Sequence, residues 1–168
     1  MKSKNINTIS KGVSIIEILV AVVIITVAFL AILSLINFSL KFSILTKEMN
    51  RATLLAQKEM EGIISFRNET TWDINGIGTL TTGSNYPYYL QLNELVTPPE
   101  LTIVQGTKTI DIFTRKIVFD NVSRASNGDV ESTYNPANND LNTRKVTVTV
   151  SWKDKKVELF SYITNWKK

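Results

Sequence analysis

The stretch Lys11-Gly12-Val13-Ser14-Ile15-Ile16-Glu17-Ile18-Leu19-Val20 opens a run that meets no further charged residue until Lys41. The 23 residues from Ile18 to Leu40 are apolar or small and neutral. A helix needs about 20 such residues to cross a bilayer core. Lys2, Lys4 and Lys11 precede the run, and no acid occurs before Glu17. Positive residues stay on the cytoplasmic side, so the long polar remainder is expected to face outward. The sequence therefore predicts a single-pass cytoplasmic-membrane protein, N-terminus inside, C-terminal domain extracytoplasmic.

Length and charge separate the kinds of N-terminal segment. A cleaved secretory signal has an apolar core of about 7–15 residues followed by a small-residue cleavage site. This core is longer, and Leu40-Lys41-Phe42-Ser43 offers no such site. A plain signal anchor fits the length but gives Glu17 no role. A charge inside a lipid-embedded helix costs up to about 3 kcal/mol on insertion scales and generally marks function.

Both features have a counterpart in a known family. The run from Lys11 to Val20 resembles the prepilin peptidase site of type IV pilins and type II secretion pseudopilins. The resemblance implies a basic leader ending at Gly12, cleavage between Gly12 and Val13, N-methylation of Val13, and an assembly role for Glu17, the fifth residue of the mature chain. Two departures are plain in the sequence. The new N-terminus is Val13 where the family usually has phenylalanine, and no proline occurs between Val13 and Phe66. The missing proline leans toward a minor subunit or a pseudopilin. A second resemblance lies in Arg51-Ala52-Thr53-Leu54-Leu55-Ala56-Gln57-Lys58-Glu59-Met60-Glu61, which is similar to the later part of the first helix in PilV-type minor pilins.

Physical chemistry supplies a use for the glutamate. Cleavage after Gly12 exposes a new ammonium at Val13. In a packed fibre, Glu17 of one subunit can pair with the ammonium of its neighbour. Such a pair adds little net stability, but only one stagger satisfies both charges, so it sets register.

Composition narrows the chemistry of the rest. The chain has no cysteine and no histidine, which excludes disulfides, Cys/His zinc sites and imidazole catalysis. The formal net charge of +4 falls to +1 once Lys2, Lys4 and Lys11 are removed with the leader. The basic balance thus belongs mostly to the leader. No phosphate-binding glycine loop or catalytic triad is visible, and no enzymatic activity or cofactor is expected.

After the membrane run, Phe42, Leu45, Met49, Ala52, Ala56, Met60 and Ile63 recur at spacings of three and four, one face of a helix. Lys47, Arg51, Lys58, Glu61 and Ser65 fall mostly opposite. The helix is expected to run from about Val13 to Phe66 and to lay its second half on a sheet. Residues 67–106 read as a loop region, punctuated by Gly76, Gly78, Gly83, Pro87, Pro98 and Pro99. Within it, the Tyr86-Pro87-Tyr88-Tyr89 cluster is expected to pack against the sheet. From Thr107, Ile110, Ile112, Ile117 and Phe119 alternate with polar residues. A polar loop follows from Ser123 to Asn142. Val146, Val148, Val150 and Trp152 then alternate with Thr147, Thr149 and Ser151, the period of two that marks a half-buried strand. Lys153-Asp154-Lys155-Lys156 is expected to turn the chain into a last strand, Val157 to Trp166. This C-terminal hairpin also resembles the end of PilV-type minor pilins.

The expected architecture is α+β, the pilin fold: leader 1–12, transmembrane and assembly helix 13–40, and a globular domain 41–168 with an amphipathic helix 41–66, a loop region 67–106 and an antiparallel sheet 107–168. Two minor site readings remain in the globular domain. Asp129, Glu131 and Asp140 offer oxygen ligands of the kind calcium takes, at no EF-hand spacing; no metal is expected there. Arg144, Lys145, Lys153, Lys155, Lys156, Lys167 and Lys168 suggest a basic edge, a weak nucleic-acid candidate against the commoner reading of a lysine-protected strand edge.

The resemblance implies a minor pilin subunit of a type IV pilus, helping to initiate or modify assembly for adhesion, motility or DNA uptake. Its partners would be other pilin subunits in a helical fibre, the prepilin peptidase and the inner-membrane assembly platform. Once assembled it would lie on the cell surface. Two alternatives stand beside it: a type II secretion pseudopilin, and a non-assembling single-pass membrane protein whose outer domain binds a ligand or DNA.

Overall fold

A computed structural model describes residues 12, 14–93, 96 and 99–166. The leader up to Lys11, and Val13, lie outside the described residues. The chain divides into two compact units between Thr46 and Lys47.

One helix, α1, spans Ile15–Glu69. Its first stretch is built from Ile, Val, Leu, Ala and Phe, and every described residue before Leu45 is exposed. Two hydroxyls in this stretch bond inside the helix: Thr26 Oγ1 donates to the Val22 carbonyl at 2.7 Å and Ser34 Oγ to the Leu30 carbonyl at 3.0 Å. No water is needed to satisfy them, which suits a hydrocarbon environment. By length and composition the helix can cross a membrane.

From Lys47 onward the same helix carries a buried stripe of Ala52, Ala56, Glu59, Met60, Ile63 and Phe66. Phe42 and Met49, which the spacing placed on that stripe, are exposed. The packed face begins instead at half-buried Glu48. The small residues Ala52 and Ala56 let the helix lie close to its sheet. It ends at Glu69, three residues beyond the expected Phe66, where the Thr70 N–H and hydroxyl both donate to the Phe66 carbonyl.

The sheet has six strands: β1 (Tyr88–Asn93), β2 (Glu100–Gln105), β3 (Lys108–Ile110), β4 (Phe113–Ser123), β5 (Asn139–Trp152) and β6 (Lys155–Thr164). All pairings are antiparallel, in the order β2-β1-β4-β5-β6, with β3 also paired to β4. The architecture is α+β. The 67–106 region is not one loop, as its glycines and prolines suggested, since it holds β1 and β2. Their alternation is weak in sequence because β2 is nowhere fully buried. Gly106, at φ +126°, turns the chain from β2 to β3 and donates its N–H to the Pro87 carbonyl at 2.7 Å.

The core lies between α1 and the inner face of the sheet. Phe113, Ile117 and Phe119 of β4 and Val146, Val148, Val150 and Trp152 of β5 supply it, with Tyr88 and Leu90 of β1. Each such side chain contributes about 1.5–3 kcal/mol by leaving water. Tyr88 packs edge-on against Phe119 with ring centroids 5.7 Å apart, as the aromatic cluster predicts, while Tyr86 stays exposed. Ile110 and Ile112 flank a tight turn and are exposed rather than core. The last hairpin turns on Lys153 and Asp154 alone, because Trp152 already pairs with Lys155. The polar loop is shorter than the Ser123–Asn142 expected, since a register shift after Asn121 lets Val122 and Ser123 pair with Asp140 and Asn139.

Candidate functional site

The residues singled out in the sequence fall in three places. At the N-terminal end, Gly12 is exposed, and Glu17 stands in the first turn of α1. The Glu17 and Ile18 N–H groups both donate to the Ser14 carbonyl, at 3.0 and 3.3 Å. A carboxylate in the first turn faces the positive end of the helix dipole, a favourable place for a negative charge. Among the described residues the Glu17 side chain has no hydrogen-bond or ion-pair partner. Val13 lies outside the described residues, so the pairing geometry proposed for it has no counterpart here.

The second place is the loop between β4 and β5. Asp140 accepts from Arg124 Nε and the Thr143 hydroxyl, each at 2.6 Å, and from the Asn142 N–H at 2.9 Å. Burial pushes its carboxyl up, but the bonds from Thr143, Arg124 and Asn142 together hold it below the ordinary aspartate range. Glu131 is held low by hydrogen bonds, first from Ser123 and then from Asn138, whose Nδ2 lies 3.0 Å from it. Asp129 takes the Asn127 side-chain amide at 2.7 Å. Each acid therefore serves the loop's own structure. Among the described residues no three Asp or Glu side chains converge as metal ligands would.

The third place is the basic set around the terminal hairpin, which the fold scatters. Arg144 is buried on the inner face, and burial pushes its guanidinium down against the opposing pull of Asp140. Lys145 lies on the outer face, with Nζ 5.4 Å from the Phe160 ring centre. Lys153, Lys155 and Lys156 sit at the far end of the hairpin. There Lys153 pairs with Glu48 at 2.6 Å and Lys156 with Glu158 at 3.0 Å. Lys167 and Lys168 lie outside the described residues.

Two carboxylates that the sequence reading passed over join α1 to the sheet. Glu48 accepts from the Trp152 indole N–H at 3.1 Å as well as from Lys153. The Lys153 bond is the main force holding its carboxyl below the ordinary range. Glu59 is buried against Arg115 of β4 in an ion pair and also accepts the Leu90 N–H at 3.3 Å. Burial holds the Glu59 carboxyl above the ordinary range, with Arg115 opposing. The one available signal was position: both acids stand on the rows i, i+3, i+4 that the buried alanines define.

Comparison with protein-family models, curated proteins and solved structures finds no match to this chain.

Proposed function

We propose that this chain is a minor pilin of a type IV pilus-like fibre, processed by a prepilin peptidase between Gly12 and Val13 and helping to initiate or modify assembly. One observation carries the reading. A basic leader, Gly12 and Glu17 stand at the family's spacing before an apolar run that is long enough to span a membrane. The continuation of that run into a helix whose later face packs on an antiparallel sheet is consistent with it. In the fibre, subunits pack through their apolar N-terminal helices, and Glu17 pairs with the Val13 ammonium of the adjacent copy. Before assembly the chain sits in the cytoplasmic membrane with its sheet domain outside.

The test is the intact mass of the protein extracted from membranes of a host that has a prepilin peptidase. The expected species begins at Val13. Recovery of the chain from Met1 only would refute the reading and favour the non-assembling membrane protein. Glu17→Ala is expected to be cleaved normally yet to be missing from sheared fibres. Normal incorporation of that variant would sink the charge-pairing mechanism.

A further inference from the structure

The outer face of the sheet, turned away from α1, carries polar groups that the fold does not use. On this face Asp120 of β4 stands opposite Lys145 of β5, which stands opposite Tyr162 of β6. The next rung is Val118, Thr147 and Phe160. The loop after β4 closes one side of the first row with Ser132 and Tyr134. Asp120, Lys145, Tyr162, Ser132 and Tyr134 are among the residues lining a cleft of about 390 Å³, within the range of about 300–1,000 Å³ common for small-ligand sites.

The cleft differs from the loop beside it in how its side chains are engaged. Outside the cleft, Asp129 and Asp140 are hydrogen-bonded to neighbouring groups, and Glu131 in its lining takes the Asn138 amide. Among the described residues, the side chains of Asp120 and Ser132 have no hydrogen-bond or ion-pair partner. Lys145 does not close onto Asp120 but lies over the Phe160 ring. The walls are nonetheless held firmly. Asp120, Lys145 and Tyr162 stand on paired rungs of β4, β5 and β6, with the register shift after Asn121 beside them. The loop is pinned by Arg124 on Asp140 and the Gly128 carbonyl, and by the Asn135 N–H on Ser123 Oγ.

The chemistry of the lining selects a ligand. An ionised carboxylate only accepts hydrogen bonds and an ammonium only donates, so the occupant must bring both donors and acceptors. Asp120 and Glu131 outnumber Lys145 in the lining, which disfavours phosphates and other anions. Tyr162 and Tyr134 offer aromatic surface with a polar tip, suited to a ligand that has an apolar face and a hydroxylated edge. Asp120 and Tyr162 are two cross-strand steps apart, about 4.5–5.5 Å each, with Lys145 between them. We propose that this cleft binds a neutral sugar residue at the end of a glycan, with Asp120 and Lys145 on its hydroxyls and Tyr162 against its ring.

The test is a glycan array of immobilised neutral and acidic mono- to tetrasaccharides, probed with the full chain in detergent micelles. Free amino acids serve as competitors. The expected result is retention on a subset of neutral glycans, weakened about 10-fold or more by Asp120→Asn and by Tyr162→Ala. Glu158→Gln, outside the cleft, should leave it unchanged. Circular dichroism of each variant verifies the fold, and Tyr162 is exposed enough to be replaced without disturbing the core. No retention on any sugar, retention confined to acidic glycans, equal retention by both cleft variants, or displacement by amino acids would overturn the proposal. The outcome is separable from the assembly reading, because none of these variants touches Gly12, Val13 or Glu17.

Discussion

Replacing Glu59 tests how α1 is held to its sheet. The Glu59 side chain is 3% exposed and faces Arg115, which is 9% exposed. It also accepts the Leu90 N–H, just beyond Tyr88, which pairs with Ile117 of β4. Glu59→Ala removes a partner from each. The guanidinium is left buried and unpaired, a loss of about 3–5 kcal/mol. The orphaned N–H pushes the total toward the top of that range, since an unsatisfied buried donor costs about 1–3 kcal/mol. Arg115 Nε already lacks a partner, so the site has no spare acceptor to offer. The double variant Glu59→Met, Arg115→Met exchanges the pair for apolar contacts and is expected within about 1–2 kcal/mol of the parent, or above it. Urea unfolding of the full chain in micelles, followed by tryptophan emission, measures both, because Trp72 and Trp152 lie in this core. In the cycle closed by the single variants Glu59→Met and Arg115→Met, the coupling must then be about 2 kcal/mol or more. Arg115→Met carries its own signature. Without the arginine, the already raised Glu59 carboxyl rises further, so the native state holds a proton that the unfolded chain releases above 4.5. Its stability is fullest below that value and falls as pH rises toward the folded pKa. A Glu59→Ala variant within about 0.5 kcal/mol of the parent, or a double variant as weak as the two singles added, would refute the reasoning.

Two further outcomes test the packing and the loop. A Cβ at Gly78 would stand 2.4 Å from the Trp72 ring and 2.7 Å from its carbonyl, so Gly78→Ala should cost about 1–3 kcal/mol in the same urea assay. At Gly62 the nearest atom, 2.5 Å away, is the tip of the Leu90 side chain, which can turn aside. Gly62→Ala should therefore cost less than Gly78→Ala, and the reverse order would mean that the loop around Trp72 yields more easily than the core. Asp140 is held below its ordinary 3.8, so its stabilisation is present above that value and is lost as pH falls through the folded pKa. Asp140→Asn should lower stability at neutral pH and make the acid limb of a thermal-midpoint profile shallower. An unchanged limb would mean that other carboxylates dominate it.

Local patterns made much of the architecture legible. The charge-free run from Ile18 to Leu40 requires a membrane-length helix because nothing in it can interrupt one. The Val-Thr alternation from Val146 to Trp152 requires a strand with one buried face, because side chains on a strand alternate sides. The short strands β1 and β2 were hidden because glycine and proline surround them and burial leaves little alternation to read. Met49 falls off the buried stripe because spacing alone does not say which side of the helix the sheet will cover.

The sequence alone thus determined a membrane-length helix, a terminal β-hairpin, a molecule without cysteine or histidine chemistry, and the Gly12–Glu17 spacing on which the assembly proposal rests. Tertiary structure decided the rest: that Glu59 meets Arg115, that Glu48 meets Trp152, and that Asp120, Lys145 and Tyr162 form one row. The physical reason is distance along the chain. Helical and strand periods are set by neighbours a few residues apart, whereas Glu48 and Trp152 are separated by 104 residues and meet only once strand register is fixed.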